Sequence, residues 1–182
     1  MSRVRNDLFK PTMVRGRSIL VEGLWYLIKV VFLLSSLPWP NDLKLTLLRL
    51  FGATVGKGVI IRPRVNITFP WKLEIGNHSW IGEEVYILNL EFVTIGNHCT
   101  ISQRAFICTG NHDFRTEDMT YTGKPIVIGD GTWICAQVFV GPGVQIGADS
   151  VITAGSVAVS DVPANSISQG NPCVQIGQRW KT

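Results

Sequence analysis

No Cys-x-x-Cys pair occurs in this chain of 182 residues; its four cysteines, Cys99, Cys108, Cys135 and Cys173, are scattered. Such spacing offers neither a zinc knuckle nor a redox dithiol, and it reads as small buried residues in a reducing compartment. Charge is scarce too. Asp, Glu, Lys and Arg make up 16% of the chain, against roughly 25% in an average domain. Histidine is scarce as well, with three copies. A zinc enzyme that needs three converging histidines is disfavoured, because His78 and His98 repeat one register while His112 stands outside it. No metal is expected. The net charge of +4 hides an asymmetry: residues 1–64 hold eleven Lys/Arg against three Asp/Glu, and residues 65–182 hold six against ten. Most of the chain therefore lacks the basic surface that nucleic acid requires. The basic N-terminal part is free to meet an anionic membrane.

What the chain does have is a period of six. A branched aliphatic recurs at 55, 61, 67 and 73, at 75, 81, 87 and 93, at 95, 101 and 107, and at 128, 134, 140, 146 and 152. Glycine often follows it, and a small or branched residue sits four places on. Such a period predicts a parallel β-helix: three hexapeptides per triangular coil, the aliphatic pointing inward, coils stacked roughly 4.8 Å apart. Glycine suits the corner, by unusual dihedrals or by close approach. An antiparallel sandwich has period two and does not lock to six. Leu73 to Ile75 and Val93 to Ile95 are two-residue slips, read as bulged corners.

The expected organisation is a basic, apolar helical segment over 1–53, the β-helix over 54–163 with a projecting loop at 113–125, and a C-terminal tail over 164–182. Residues 19–37 are strongly apolar, interrupted by Glu22 and Lys29, which share a helix face with Ser36. This polar stripe predicts an amphipathic helix lying on a surface. Packing on the coil end or on a neighbouring subunit, contact with a membrane surface, and a true span all stand as readings. No small-residue cleavage site follows the apolar run. A second helix is predicted from Asp42 to Phe51, with Asn41 or Asp42 as N-cap and Gly52 as its stop.

The repeat breaks after Thr109-Gly110-Asn111-His112, and the polar stretch from Asp113 to Pro125 leaves the coil. A histidine at the base of a projecting loop is a candidate general base. His78 and His98 read instead as turn residues stacked on one outer corner.

The hexapeptide repeat together with Thr109-Gly110-Asn111-His112-Asp113, the loop and the terminal Gly170-Asn171-Pro172 resembles the hexapeptide acyltransferases. Within these it is similar to the sugar O-acetyltransferases of exopolysaccharide clusters, the colanic-acid type. Phe69-Pro70-Trp71-Lys72-Leu73, Ile75 to Gly82, Tyr86 to Leu90 and Lys124-Pro125-Ile126 carry that likeness. The resemblance implies an all-β, left-handed parallel β-helix, a homotrimer with active sites between subunits, and acetyl-CoA as the donor. It implies a sugar or glycan acceptor. Independently of the resemblance, the basic, apolar N-terminal helix permits peripheral membrane contact, and the scattered cysteines suit the cytoplasm, at the inner face of the membrane where that contact is made. His112 would be the catalytic base. Asn89 would bind the acceptor or cap a corner; Asp113 would orient His112 and meet the acceptor, or start the loop turn. Trp133, Ala136, Ala154, Gly155, Asn171 and Pro172 fall at coenzyme-binding positions. Val159-Ser160 and Val174 stand where relatives carry basic residues for the nucleotide phosphates, leaving Arg179 and Lys181 as substitutes. A non-catalytic trimeric scaffold is the competing reading.

Overall fold

The structure is a computed structural model that describes residues 3–181. Among the described residues, fifteen short strands wind into a parallel coil with three flat faces. The first face stacks Thr54–Val55, Leu73–Ile75, Val93–Ile95, Ile126–Ile128 and Gln145–Ile146. The second runs from Ile60–Ile61 through Trp80–Ile81, Thr100–Ile101, Trp133–Ile134 and Val151–Ile152. The third stacks Asn66–Ile67, Tyr86–Leu88, Phe106–Cys108, Phe139–Val140 and Val157–Ala158. Like positions pair across coils, for example Val55 with Ile75, Ile75 with Ile95 and Ile95 with Ile128.

The inward aliphatics form one continuous core. Ile61, Ile67, Ile81, Ile87, Ile101, Ile107, Ile134, Val140 and Ile152 are all buried. The residues four places on, including Val59, Ser79, Cys99, Thr132 and Ser150, are buried as well. The two-residue slips have a different form from a bulge. Leu73 and Ile75 lie on one three-residue strand, both inward with Glu74 outward, and Val93 to Ile95 repeats this. The extra residues lengthen the corner between the third and first faces, where Pro70–Lys72 makes a 3-10 turn.

Corner glycines are required by close approach. A Cβ on Gly76 would lie 2.5 Å from the Gly96 carbonyl carbon and 2.6 Å from the Asn97 nitrogen. The left-handed backbone falls elsewhere, three places after the aliphatic, at Gly58, His78, His98, Gly131, Asp149 and Asn165. The His78 and His98 rings accordingly stack at 5.2 Å on an outer corner. Beside them runs a side-chain ladder: Lys57 N–H donates to Asn77 Oδ1, Asn77 N–H to Asn97 Oδ1, and Asn97 N–H to Asp130 Oδ1. The Gly-Asn dipeptides of the repeat thus serve two demands, contact and hydrogen bonding.

A parallel coil leaves an open strand edge at each end. Two helices close the first. Helix α1 spans Ile19–Ile28 and runs on through a π-helical turn, Lys29–Leu33. Helix α2 spans Asn41–Leu50. Their side chains satisfy the edge: Trp25 Nε1 donates to the Ile67 carbonyl at 3.0 Å, Asn41 bonds both the Val59 carbonyl and the Ile61 N–H, and Lys44 Nζ donates to the Ile61 carbonyl. Asn41 is therefore no N-cap; its amide is spent on the coil, and Pro40 precedes the helix without a side-chain cap. Gly52, at φ +95°, ends it as expected. At the far end, Ser166–Gly170 and Cys173–Gln178 form an antiparallel hairpin that extends the second face.

The polar stripe of the first helix is turned inward. Glu22 is largely covered and bridges to Arg15 at 2.5 Å, and Lys29 is buried. Of the readings open for this helix, the chain adopts packing on the coil end, with the charged residues of the stripe toward the coil: edge closure takes precedence over helix amphipathicity. Burial holds the Lys29 ammonium below the ordinary lysine value of 10.5. Stability should therefore rise with pH between that lowered value and 10.5, because the unfolded chain binds more protons there. Lys29→Met should remove that rise from its site and add about 1 kcal/mol, roughly 2–4 °C in Tm. Lys44→Met should instead cost about 1–3 kcal/mol, since it strands the Ile61 carbonyl. Thermal melts of the two variants at neutral and alkaline pH test the contrast.

Candidate active site

The loop leaves the long corner between the third and first faces as a narrow ribbon. Its arms pair from the base outward: Lys124 N–H to the Thr109 carbonyl, Thr122 N–H to Asn111, and Asp113 N–H to Thr120 at 2.8 Å. The excursion thus begins at Thr109, earlier than its polar composition suggests. Asp113 Oδ1 accepts from Arg115 N–H, and its carbonyl accepts from the Thr116 hydroxyl. This carboxylate starts the turn and does not reach the His112 ring.

His112 lies on one arm opposite Tyr121, with its side chain exposed. Its Nδ1 sits 2.6 Å from the Met119 carbonyl oxygen. A carbonyl only accepts, so Nδ1 carries the hydrogen and Nε2 is left with a free lone pair. Tyr121 packs edge-on at 6.1 Å and donates its hydroxyl to Glu91 at 3.2 Å. Burial and the Glu91 carboxylate push the phenol well above its ordinary value, so it stays a neutral donor.

A third ring was not legible in the sequence. Phe9 sits 5.4 Å from the His112 ring. The basic N-terminal segment runs back along the loop: Arg5 N–H donates to the Glu117 carbonyl, Lys72 Nζ to Val14 and Trp71 Nε1 to Arg15. One aromatic in a polar stretch carries no signal of which distant loop it meets. The pairing of Phe69-Pro70-Trp71-Lys72 with residues 14–15 is the nearest thing to one, since it is those side chains that hold the strap.

Asn89 is wholly buried. Its Oδ1 accepts from Phe69 N–H, and its Nδ2 donates to the Phe69 and Lys72 carbonyls. It closes a corner and is not placed to meet an acceptor, so its acceptor-binding reading is withdrawn.

The coenzyme-binding candidates gather elsewhere. Trp133 lies exposed on the second face, Nε1 donating to Ser102 at 2.9 Å. Ala136 stands at the corner between the second and third faces; Gly155 N–H donates to its carbonyl from the next coil. Ala154 and Gly155 are exposed, and an added Cβ on Gly155 would meet nothing within 4 Å. Gly170 N–H donates to Ser156 Oγ at 3.1 Å, which brings the exposed Asn171-Pro172 turn to the same corner. The result is an open strip of small residues along one edge. Val159 and Val174 are both exposed. Arg179 is committed: its guanidinium donates to the Gly131 carbonyl at 2.6 Å and lies over the Trp180 ring. It is not free to replace the missing basic residues. His112 belongs to the third-to-first corner and the strip to the second-to-third corner, so one chain places base and strip on different edges.

The model for bacterial transferase hexapeptide (six repeats) matches residues 125–157. The chain is 41% identical to the Escherichia coli K12 protein named Putative colanic acid biosynthesis acetyltransferase WcaF, over 94% of each chain. It is 34% identical to the galactoside O-acetyltransferase of the same organism, over 66% of this chain and 61% of that one. Among solved structures, a hexapeptide-repeat-containing acetyltransferase of Vibrio cholerae in complex with acetyl coenzyme A superposes with a TM-score of 0.84 at 26% identity, over 100% of both chains. With the six-residue coil, the looped corner and this degree of identity over nearly its whole length, the chain belongs to the hexapeptide-repeat acetyltransferases.

Proposed function

We propose that this chain transfers an acetyl group from acetyl-CoA to a hydroxyl of a sugar in a surface glycan. One observation carries the reading: the His112 ring is exposed and held through Nδ1 by the Met119 carbonyl, leaving Nε2 to accept a proton. A sugar hydroxyl is a poor nucleophile until its proton is taken up. Nε2 receives that proton as the oxygen bonds to the thioester carbonyl carbon. The carbon–sulfur bond then breaks, and the proton passes from Nε2 to the coenzyme A thiolate. Phe9 and Tyr121 flank the ring and give a sugar apolar surface to lie against. The strip along Ala136, Ala154, Gly155 and Asn171-Pro172 suits a thin pantetheine arm resting on backbone. Because the strip and His112 occupy different edges, a homotrimer in which one chain's strip faces the next chain's loop supplies a complete site. The relatives named for colanic acid and galactosides favour a sugar hydroxyl, and the basic N-terminal segment favours a site of action at the inner face of a membrane. The scaffold reading loses its ground, since a scaffold has no need of a histidine tautomer set for proton uptake.

Calorimetric titration with acetyl-CoA tests the donor assignment. The expected result is saturable binding at one site per subunit, with a Kd in the range of about 1 μM to 1 mM typical of enzyme substrates. Absence of binding at millimolar concentration overturns it.

A further inference from the structure

Helix α1 is amphipathic in the wrong sense for a surface helix in water. Its two charged residues face the protein, and its large aliphatics face out. Ile19 is 80% exposed and Leu20 82%, and Leu24, Leu27 and Val31 continue the same exposed side. The covered side carries Trp25, Lys29 and Leu33 and seals the first coil. The exposed side therefore looks away from the β-helix, at its N-terminal end. Soluble proteins seldom leave so many aliphatics contiguous and uncovered. Among the described residues no helix is long and apolar enough to cross a membrane.

We infer that this face docks on an anionic lipid surface, lying in the interface plane without spanning it. The inference rests on the reading of the N-terminal segment as a membrane-contacting element, and it names the face and the lipid class. The charge distribution favours lipid over a second copy. Glu22, the helix's own carboxylate, is largely covered and paired with Arg15, so cations outnumber anions among the exposed charges near this end, with Arg17, Arg49 and Lys57 against Asp42. Residues 1–64 carry eleven basic against three acidic side chains, while residues 65–182 carry six against ten. A second copy docked face to face would bring two cationic rims together. An anionic bilayer takes up the aliphatics and neutralises the rim, and the acidic coil points away from it.

The test is co-sedimentation of the full chain with phosphatidylcholine vesicles, with and without roughly one third phosphatidylglycerol. Leu20→Glu/Leu24→Glu is the comparison, with light scattering and acetyl-CoA titration run on both proteins. Both positions are exposed, so the variant keeps its core. Wild type should sediment with the anionic vesicles and far less with neutral ones, and added salt should weaken it. The variant should lose binding at least about tenfold, with unchanged mass and unchanged acetyl-CoA binding. Equal binding by the variant, or no binding by wild type, overturns the inference. Absence of lipid binding together with a fall in mass in the variant overturns it in favour of contact between copies. The acetyl-CoA titration separates a failure here from a failure of the acetyl-transfer reading.

Discussion

Replacing His112 with Ala should lower turnover by at least about a hundredfold, the usual contribution of a general base. The size follows from geometry. The imidazole is held at Nδ1 by a backbone carbonyl 2.6 Å away, so its tautomer and ring plane do not depend on substrate. No other histidine can substitute, because His78 and His98 are stacked on another corner. The ring is exposed and outside the core, so its removal leaves the coil intact. Initial rates of thiol release, measured beside acetyl-CoA titration, separate chemistry from binding. Turnover should fall while donor affinity holds. An unchanged rate would refute the assignment of the base. A parallel loss of donor binding would show instead that His112 holds the coenzyme.

The second large effect is on stability. Gly76→Ala should destabilise the protein by at least about 3 kcal/mol, roughly 6–12 °C in Tm at this chain length. The added methyl would sit 2.5–2.7 Å from three backbone atoms of the next coil, the carbonyl carbon and oxygen of Gly96 and the nitrogen of Asn97. A flexible side chain could step aside, but backbone in a stacked coil cannot move without opening the spacing along the whole edge. The same corner carries the ladder from Asn77 to Asn97 to Asp130, so that opening also breaks hydrogen bonds. Gly23→Ala is the control. It lies mid-helix with nothing within 4 Å of an added Cβ, and it should gain about 0.5–1 kcal/mol. Thermal melts of both settle the point: equal Tm values would mean that close approach does not require glycine at this corner.

The contrast between these two glycines shows where sequence reading works. A period of six states which side chains point inward, because each coil repeats the same three sides and only branched aliphatics fill them. The corner glycine, the stacked histidines and the loop with its base followed from the same register. Local reading failed where a residue's partner lies outside the period. Asn89 looks like any polar residue on a coil, yet the corner beside it had been lengthened by two residues, leaving the backbone groups of Phe69 and Lys72 without partners, and its amide fills that need. Glu22 and Lys29 form a polar stripe that should face water on an isolated helix. The open edge of the first coil was the stronger demand, and Trp25 had to reach Ile67 to meet it.

By itself, then, the sequence determined the coil, its core and the position of the candidate base, because these depend on a short repeat in which every residue's neighbours are set by register. Tertiary structure alone decided which way the first helix turns, that Phe9 lies against His112, and that the strip of small residues stands on a different edge from the base. Those outcomes depend on how the N-terminal segment folds back over the coil and on the triangular cross-section, and chain distance encodes neither.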